Sequence, residues 1–576
     1  VKTMATARTR TRRAPKKRTT KALPPLPTPG PGEKFFLLHL PFELRPPHVH
    51  YRQDLKRHLY VGKELPADLA PYAAKPYSYE AWVEDELNGE KTPTHHATAT
   101  PRKPRPAQIE DATIAVQAAA AKWRGTFIGS GVGTGKTITC LLAAKAICHL
   151  RGGDTVLITV DRPATMTIPM WRLNIAAIGD GGLRWIIVSS DGGLKHLIGP
   201  NGRPRINPTV VINDEAHQFR RDSQRTNRMK RINKANSAPG ASTPFVLSVT
   251  ATPGHCPTEY LYLSSLLAQI HGESPKEWND LGLKLSEHGF PVVKKFGTWG
   301  WDDDAAASQH VRDKAIATVR DWMLHATPPV MINRQAAWGA PSLEGLPVEL
   351  SPEQRRLYLA EWGDYQREMR LARQGNDMAR GLAAVTRFRQ KASHLRIDST
   401  VDRVAMDVES GFQVLVAVEH VGTAAQPIAD ALEERGIPVA RLFGGRPDME
   451  EQRLMFQKGQ VKVAVLNTVS SVSLHAGEEL SDGSVATTAP RRGYFHQPRY
   501  SGIAAQQMMG RAHRDGQVCD WSLIFGEGTI EEDAAQRMVT RLSGLAASVD
   551  ADRSMLKDIA SLFGADWLPV DRALEG

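Results

Sequence analysis

Short runs of β-branched and apolar residues alternate with helix-patterned stretches in two separate blocks of this chain. That alternation restricts the fold more than any other feature. In the first block the runs are "TFIGS", "TVLITV", "RWIIVSS", "TVVIND" and "FVLSVTA"; in the second they are "FQVLVAVE", "PVARLFG", "VKVAVLN" and "RGYFHQP". Near-continuous apolar strands between helices are covered on both faces, which predicts parallel sheets with helices packed on each side. At 576 residues there is length for several domain-sized units. The expected fold is α/β, with two tandem parallel-sheet lobes over 107–254 and 401–548. The helical stretch 255–400, richer in Trp, Arg and Ala, is expected as an insertion and bridge between them. A tail over 1–32 ends in the Pro-rich "LPPLPTPGPG". A small accessory segment spans 33–106 and closes with "PRKPRP", and a helical tail spans 549–576.

The net charge of +11 is concentrated at one end. Residues 1–21 carry nine Lys or Arg and no acid, so the remaining chain is close to neutral. Such a tail is expected to be disordered and to hold polyanions by releasing their counterions. No stretch of eighteen apolar residues occurs, so no membrane partner is expected. Cys140, Cys148, Cys256 and Cys519 lack metal-binding spacing and read as buried thiols in a reducing compartment. Expected surroundings are a nucleoid-associated cytoplasmic setting for a bacterial or phage chain, and a nucleus for a eukaryotic one.

"GSGVGTGKT" (129–137) follows the strand-like "GTFI" and precedes the helix-forming "ITCLLAAKAI". This is the setting of a phosphate loop. Backbone N–H groups of Ser130, Gly131, Val132, Gly133, Thr134 and Gly135 would cradle phosphate oxygens. Lys136 would reach the β and γ phosphates, and the Thr137 hydroxyl would face Mg²⁺. Ser130 stands where the strict pattern has glycine. "TVVINDEAH" (209–217) then places Asp214 and Glu215 at a strand end, the crevice where ligands of such sheets bind. Asp214 is expected to hold Mg²⁺ and Glu215 to orient or deprotonate an attacking water.

In "QQMMGRAHRDGQ" (506–517), Arg511 and Arg514 are three residues apart, a spacing that puts both on one face of a helix. Guanidinium groups suit phosphate oxygens, and arginines supplied from a second lobe would stabilise charge growing on a departing phosphoryl group.

Together these segments resemble helicase superfamily two, in its Swi/Snf-like branch of DNA translocases, and the resemblance covers about 107 to 545. "QMMGRAHRDGQ" looks like the sixth motif of that branch, including the trailing Gly-Gln. "RPAQIEDATIAV" resembles the motif whose glutamine meets adenine, nominating Gln108. "LITVDRPATMTIPMW" looks like motif Ia, and "LSVTATP" resembles the third motif, with Thr250 and Thr252, beside His217, coupling hydrolysis to the grip on DNA. "PPVMINRQAAWGAPSLEGLPVELSPEQRRLY" looks like the bridge into the second lobe. The fifth-motif region "VLNTVSSVSLHAGEEL" departs from the usual Gly-rich pattern, with Asn467 and Thr468 the best matches. The resemblance implies RecA-like lobes, ATP and Mg²⁺ as cofactors, and catalytic roles for Lys136, Asp214, Glu215, Gln507, Arg511 and Arg514. It also implies double-stranded DNA as partner, with single-stranded or branched DNA as further candidates. "RRDSQRTNRMKRINK" (220–234) sets Arg221, Arg225 and Arg228 at helical spacing, the internal candidate for DNA contact. Alternatives that share most of these motifs are a strand-separating DNA or RNA helicase and a nucleic-acid-binding scaffold with a vestigial ATPase.

Overall fold

The structure, a computed structural model, describes residues 30, 32–38, 48–52, 57–73, 78–89, 101–544 and 559–568, apart from 132, 162–163, 221, 241, 252–256, 296–297, 303–308, 335–340, 445, 447, 468–472, 481–483 and 499–501. Nearly all of the basic and Pro-rich tail therefore lies outside the described residues. The chain divides into two compact units, 1–75 and 76–576. In the first, β1 (Lys34–Leu38), β2 (His50–Arg52) and β3 (Arg57–Gly62) form an antiparallel sheet in the order β1-β3-β2 over a small core of Leu38, Val49, Leu69 and Tyr72.

The second unit holds both lobes. In the first lobe β4 (Gly125–Ile128), β5 (Thr155–Val160), β6 (Arg184–Ser189), β7 (Val210–Asp214) and β8 (Phe245–Val249) are parallel. Alternate residues of one strand face opposite sides, as the pleat requires. Val156, Ile158 and Val160 enter one core with the helices Pro106–Ala120 and Lys136–Arg151, while Leu157 enters a second core with Met229 and Ile232. A hairpin of β9 (Val292–Lys295) and β10 (Thr298–Trp301) follows, and then β11 (Met331–Ile332), which pairs with β4. The sheet order is β11-β4-β8-β7-β5-β6, so β8 lies between the strand leading to the lysine loop and the strand ending in Asp214.

The second lobe is another six-stranded parallel sheet. It contains β12 (Leu343–Val348), β13 (Gln413–Ala417), β14 (Val439–Leu442), β15 (Val463–Leu466), β16 (Arg491–Phe495) and β17 (Cys519–Gly526), in the order β12-β17-β16-β13-β15-β14. The helices Pro352–Gln374 and Met378–His394, together with residues 559–568, pack into its core through Tyr358, Tyr365, Phe388 and Phe563.

Two expected boundaries move. The stretch 255–400 is not one unit between the lobes. Residues up to Ile332 join the first lobe, where Leu261, Leu267, Trp278 and Met323 share its core and β11 extends its sheet. From Leu343 the chain belongs to the second lobe. The accessory segment also divides, because the helix Tyr79–Asn88 is part of the second unit. Its buried Glu86 accepts the Ile187 N–H at 3.0 Å and pairs with Arg172, fastening it to the first lobe. Burial pushes the Glu86 carboxyl up, against the pull of Arg172. Among the described residues no helix is long and apolar enough to cross a membrane, and Cys140, Cys148 and Cys519 are buried free thiols.

One ion pair within the second lobe is wholly buried. Arg396 and Glu531, at 0% and 2% exposure, join the start of the helix Ile397–Glu409 to the start of the helix Ile530–Gly544. Removing one partner strands the other charge without solvent, which costs about 3–5 kcal/mol. Glu531→Gln is therefore expected to lower the unfolding free energy measured by urea titration by that amount, with a lower midpoint, and an unchanged midpoint would contradict the pairing.

Candidate active site

The chain leaves β4 into a loop whose Gly133 and Gly135 have φ of 82° and 86°, the left-handed region that side chains disfavour. A Cβ at Gly135 would also lie 2.0 Å from the Gln108 amide nitrogen. Gly133, Gly135, Lys136 and Thr137 line a cavity of about 500 Å³ between the two lobes. Ser130, Gly131 and Thr134 lie behind them in the loop, with the Thr134 hydroxyl donating to Gly131 O at 2.9 Å. Val132 is outside the described residues. Lys136 begins the helix Lys136–Arg151 and folds back over the loop, its Nζ donating to the carbonyls of Ser130 and Gly131, both at 2.9 Å. Burial lowers its ammonium to about 8, Arg514 and Arg511 push the same way, and Glu215 and Asp214 oppose the shift. Gln108 also lines the cavity. Its Oε1 accepts the Arg105 N–H at 2.9 Å and its Nε2 donates to Gly135 O at 3.4 Å, tying the helix Pro106–Ala120 to the loop.

Across β8, the carboxyl end of β7 delivers Asp214 and Glu215 to the same cavity. Glu215 has φ of 50°, a conformation costly for a residue with a side chain and concentrated at functional sites. Its carboxylate accepts from the Thr250 hydroxyl at 3.4 Å, and Thr250 lies 3.0 Å from His217 Nδ1. His217 Nδ1 is itself 3.3 Å from Glu215. Burial alone would raise Glu215, but the hydrogen bond and charge of His217, with Arg511 and Lys136, overcome it and hold the carboxyl below its ordinary range. Asp214 moves the opposite way: burial and the neighbouring Glu215 raise it, and the Trp171 indole N–H, donated at 3.0 Å, partly restrains the shift. Environments that separate two adjacent carboxyls in this way suit them to different tasks. Thr252 lies outside the described residues.

Arg511 and Arg514 do not share a helix face. The helix Gly502–Met509 ends before them, and both sit in the turn that follows. Asp515 and Gly516 have φ of 57° and 81°, forming a two-residue turn with Gln517 returning onto Arg514: Gln517 N–H to Arg514 O is 2.9 Å and Arg514 N–H to Gln517 O is 3.2 Å. This geometry explains the trailing Asp-Gly-Gln. Both arginines nonetheless line the cavity with Gln507, opposite the lysine loop. Arg511 Nε and Arg514 Nε are buried without a hydrogen-bond partner among the described residues. Burial lowers Arg511 to about 10 and lowers Arg514 as well, each repelled or supported by the charges around it. Buried donors without acceptors beside a positive loop fit a polyanion of phosphate size. For a hard cation beside it, a hydroxyl and a carboxylate such as Thr137 and Asp214 are the suitable donors.

Several wall residues escaped the sequence reading. Ser473 Oγ lies 2.6 Å from His475 Nδ1, His475 Nε2 lies 3.5 Å from Asp515, and Leu474 N–H donates to Arg511 O at 2.8 Å. The segment that departs from the Gly-rich pattern thus supports the arginine turn. Burial, with Arg514 beside it, lowers His475 to about 4, so the ring is neutral near pH 7. Arg102 and Arg105, from "PRKPRP", reach across to Glu479 at 3.0 Å and Asp515 at 2.6 Å in the second lobe.

The nucleic-acid candidates are not brought to this cavity. Arg225 and Arg228 lie half-buried on the helix Gln224–Ile232, on the side that carries its buried Met229 and Ile232, and donate to Gln218 at 2.9 Å and Gln224 at 3.0 Å. Asn467 follows β15 and does not line the cavity. Arg221 and Thr468 are outside the described residues.

No protein-family model matches the chain, and no curated protein matches it. Among solved structures it is similar to the Sulfolobus solfataricus SWI2/SNF2 ATPase core in complex with dsDNA, at 13% identity and a TM-score of 0.31, over 84% of this chain and 99% of that one. A second structure of the same core domain matches at 13% identity and a TM-score of 0.30, over 82% and 97%. Superposition this loose carries no argument about function, which rests on the residues of this chain.

Proposed function

We propose that this chain is a Swi/Snf-like ATPase of helicase superfamily two, which hydrolyses ATP to move along double-stranded DNA and remodel DNA or protein–DNA complexes. One observation carries the reading: a single cavity is lined by Lys136, Asp214 and Glu215 from the first lobe and by Arg511 and Arg514 from the second. Lys136 would release the loop carbonyls and take the β and γ phosphates. Glu215, kept ionised by His217 and its cationic neighbours, would accept the proton of the attacking water. Thr137 and Asp214 would hold Mg²⁺, which when bound neutralises charge on the phosphate oxygens. Arg511 and Arg514 would stabilise the charge of the departing phosphoryl group, so turnover requires the lobes to stay closed around it. Gln108 would meet the base after giving up its bonds to the loop. The resemblance of the interlobe bridge and of "RAHRDGQ" to the Swi/Snf-like branch favours duplex DNA as the track. Arg225, Arg228 and Asn467 are its proposed backbone contacts, with Thr250 and Thr252 coupling grip to hydrolysis.

The test compares ATP turnover with duplex, single-stranded and branched DNA and with RNA. Duplex DNA should stimulate most, and the stimulation should collapse with salt. A protein making six or more phosphate contacts loses on the order of 10³-fold in affinity between about 50 and 200 mM salt. Stimulation by single-stranded RNA without any by duplex DNA would replace the translocase with an RNA helicase.

A further inference from the structure

The connection to the second lobe leaves the first one along the phosphate loop itself. β11 pairs with β4, and past the paired residues the two segments remain joined. Gly129 N–H donates to Ile332 O at 2.9 Å, and Gly131 N–H donates to Arg334 O at 2.9 Å. Arg334 N–H in turn donates to the Ser130 hydroxyl at 3.0 Å. This bond gives the serine at the atypical loop position a role, since glycine would leave the Arg334 N–H without that acceptor. The Arg334 guanidinium forks onto Asp111, with Nε at 3.2 Å and an Nη at 2.9 Å, and reaches Glu110 at 3.0 Å. Asp111 is buried on the helix Pro106–Ala120, the helix that also carries Gln108. Beyond Arg334 the chain passes through 335–340 and enters β12 of the second lobe at Leu343.

None of the proposed chemistry uses Arg334, yet it joins three parts of the site. Backbone bonds on both sides of residue 130 prevent the loop from reshaping unless the exit segment moves with it. A charge-assisted fork on a buried carboxylate is stronger than a neutral hydrogen bond, and losing it leaves Asp111 buried without its cation. The geometry points to Arg334 as a positioning residue that clamps the phosphate loop to the start of the interlobe connection, so that nucleotide in the loop sets the placement of the second lobe's arginines. This inference rests on the ATPase reading above.

Hydrogen exchange on the full chain, with and without Mg²⁺ and ADP–beryllium fluoride, tests it alongside ATP turnover. In the wild type, nucleotide should slow exchange in 129–137 and in 331–334 together. In Arg334→Ala the loop should still be slowed, while the exit segment loses its nucleotide-dependent protection by about tenfold and kcat falls about tenfold with a smaller change in KM. Arg334→Lys keeps the charge but cannot fork, so it should fall between. Asp111→Asn supplies the same readout should Arg334→Ala fail to fold. Protection of the exit segment that survives in these variants, with kcat within about twofold of wild type, overturns the clamp alone. A wild type whose loop does not respond to nucleotide overturns the ATPase reading and the clamp together.

Discussion

Lys136→Ala and Glu215→Gln are each expected to bring ATP turnover to background, by different routes. On the proposed reading Lys136, which lines the cavity, would supply the loop's cation to the phosphates, and without it nucleotide binding itself should weaken, raising KM as well as lowering kcat. Glu215→Gln keeps the shape of the side chain and removes the base. General-base catalysis contributes about 10²–10⁴-fold, so kcat should fall by that order while nucleotide still binds. The backbone at Glu215, in the left-handed region, and its contacts to Thr250 and His217 hold the carboxylate at the cavity wall, where on the proposed reading it would meet the attacking water. A steady-state titration in ATP, with direct binding of a fluorescent analogue, separates the two outcomes. Equal turnover in wild type and Glu215→Gln under every nucleic acid would favour a scaffold with a vestigial ATPase.

Arg511→Ala and Arg514→Ala should be nearly as severe, although neither residue lies in the lobe that carries the loop. Arginines placed against a transferring phosphoryl group contribute about 10³–10⁵ in kcat. Their buried Nε donors lack partners among the described residues, so acceptors on a bound triphosphate would relieve a standing desolvation cost. Binding of the nucleotide to the first lobe should survive, and the loss should appear in kcat. Arg511→Lys is not expected to rescue, because an ammonium cannot reproduce the planar fork. Turnover within a few-fold of wild type in both alanine variants would remove the second lobe from the chemistry.

Much of the fold was legible because its central strands are apolar on both faces. "TVLITV" corresponds to β5, and the runs around β4, β6, β7, β8 and β13 to β16 stand out for the same reason. Among the strands that were missed, β17, "CDWSLIFG", is buried except at Asp520, but Asp520 and Ser522 interrupt its apolar run, while β11 and β12 lack the pattern. β12, "LEGLPV", contains Gly and Pro and lies at a sheet edge where exposed residues are tolerated. β11 has only two residues and owes its place to pairing with β4. Within the site, local segments carried the loop, Asp214 and Glu215, and the arginine pair. The helical geometry expected of Arg511 and Arg514 did not appear, because the helix ends at Met509 and the Asp515–Gly516 turn takes over. Trp171, His475 and Arg334 could not be placed from spacing alone. Each acts on a residue far along the chain, and only the packing of the helix Ala164–Ile178, the segment Ser473–His475 and the exit strand brings them there.

The most direct measurement is a crystal structure of the full chain with Mg²⁺ and ADP–aluminium fluoride. Lys136 from one lobe and at least one of Arg511 and Arg514 from the other should both lie within hydrogen-bonding distance, about 3 Å, of the fluoride group that mimics the transferring phosphoryl. A mimic held by the lysine loop with both guanidinium groups turned away from it would contradict a nucleotide site shared between the lobes.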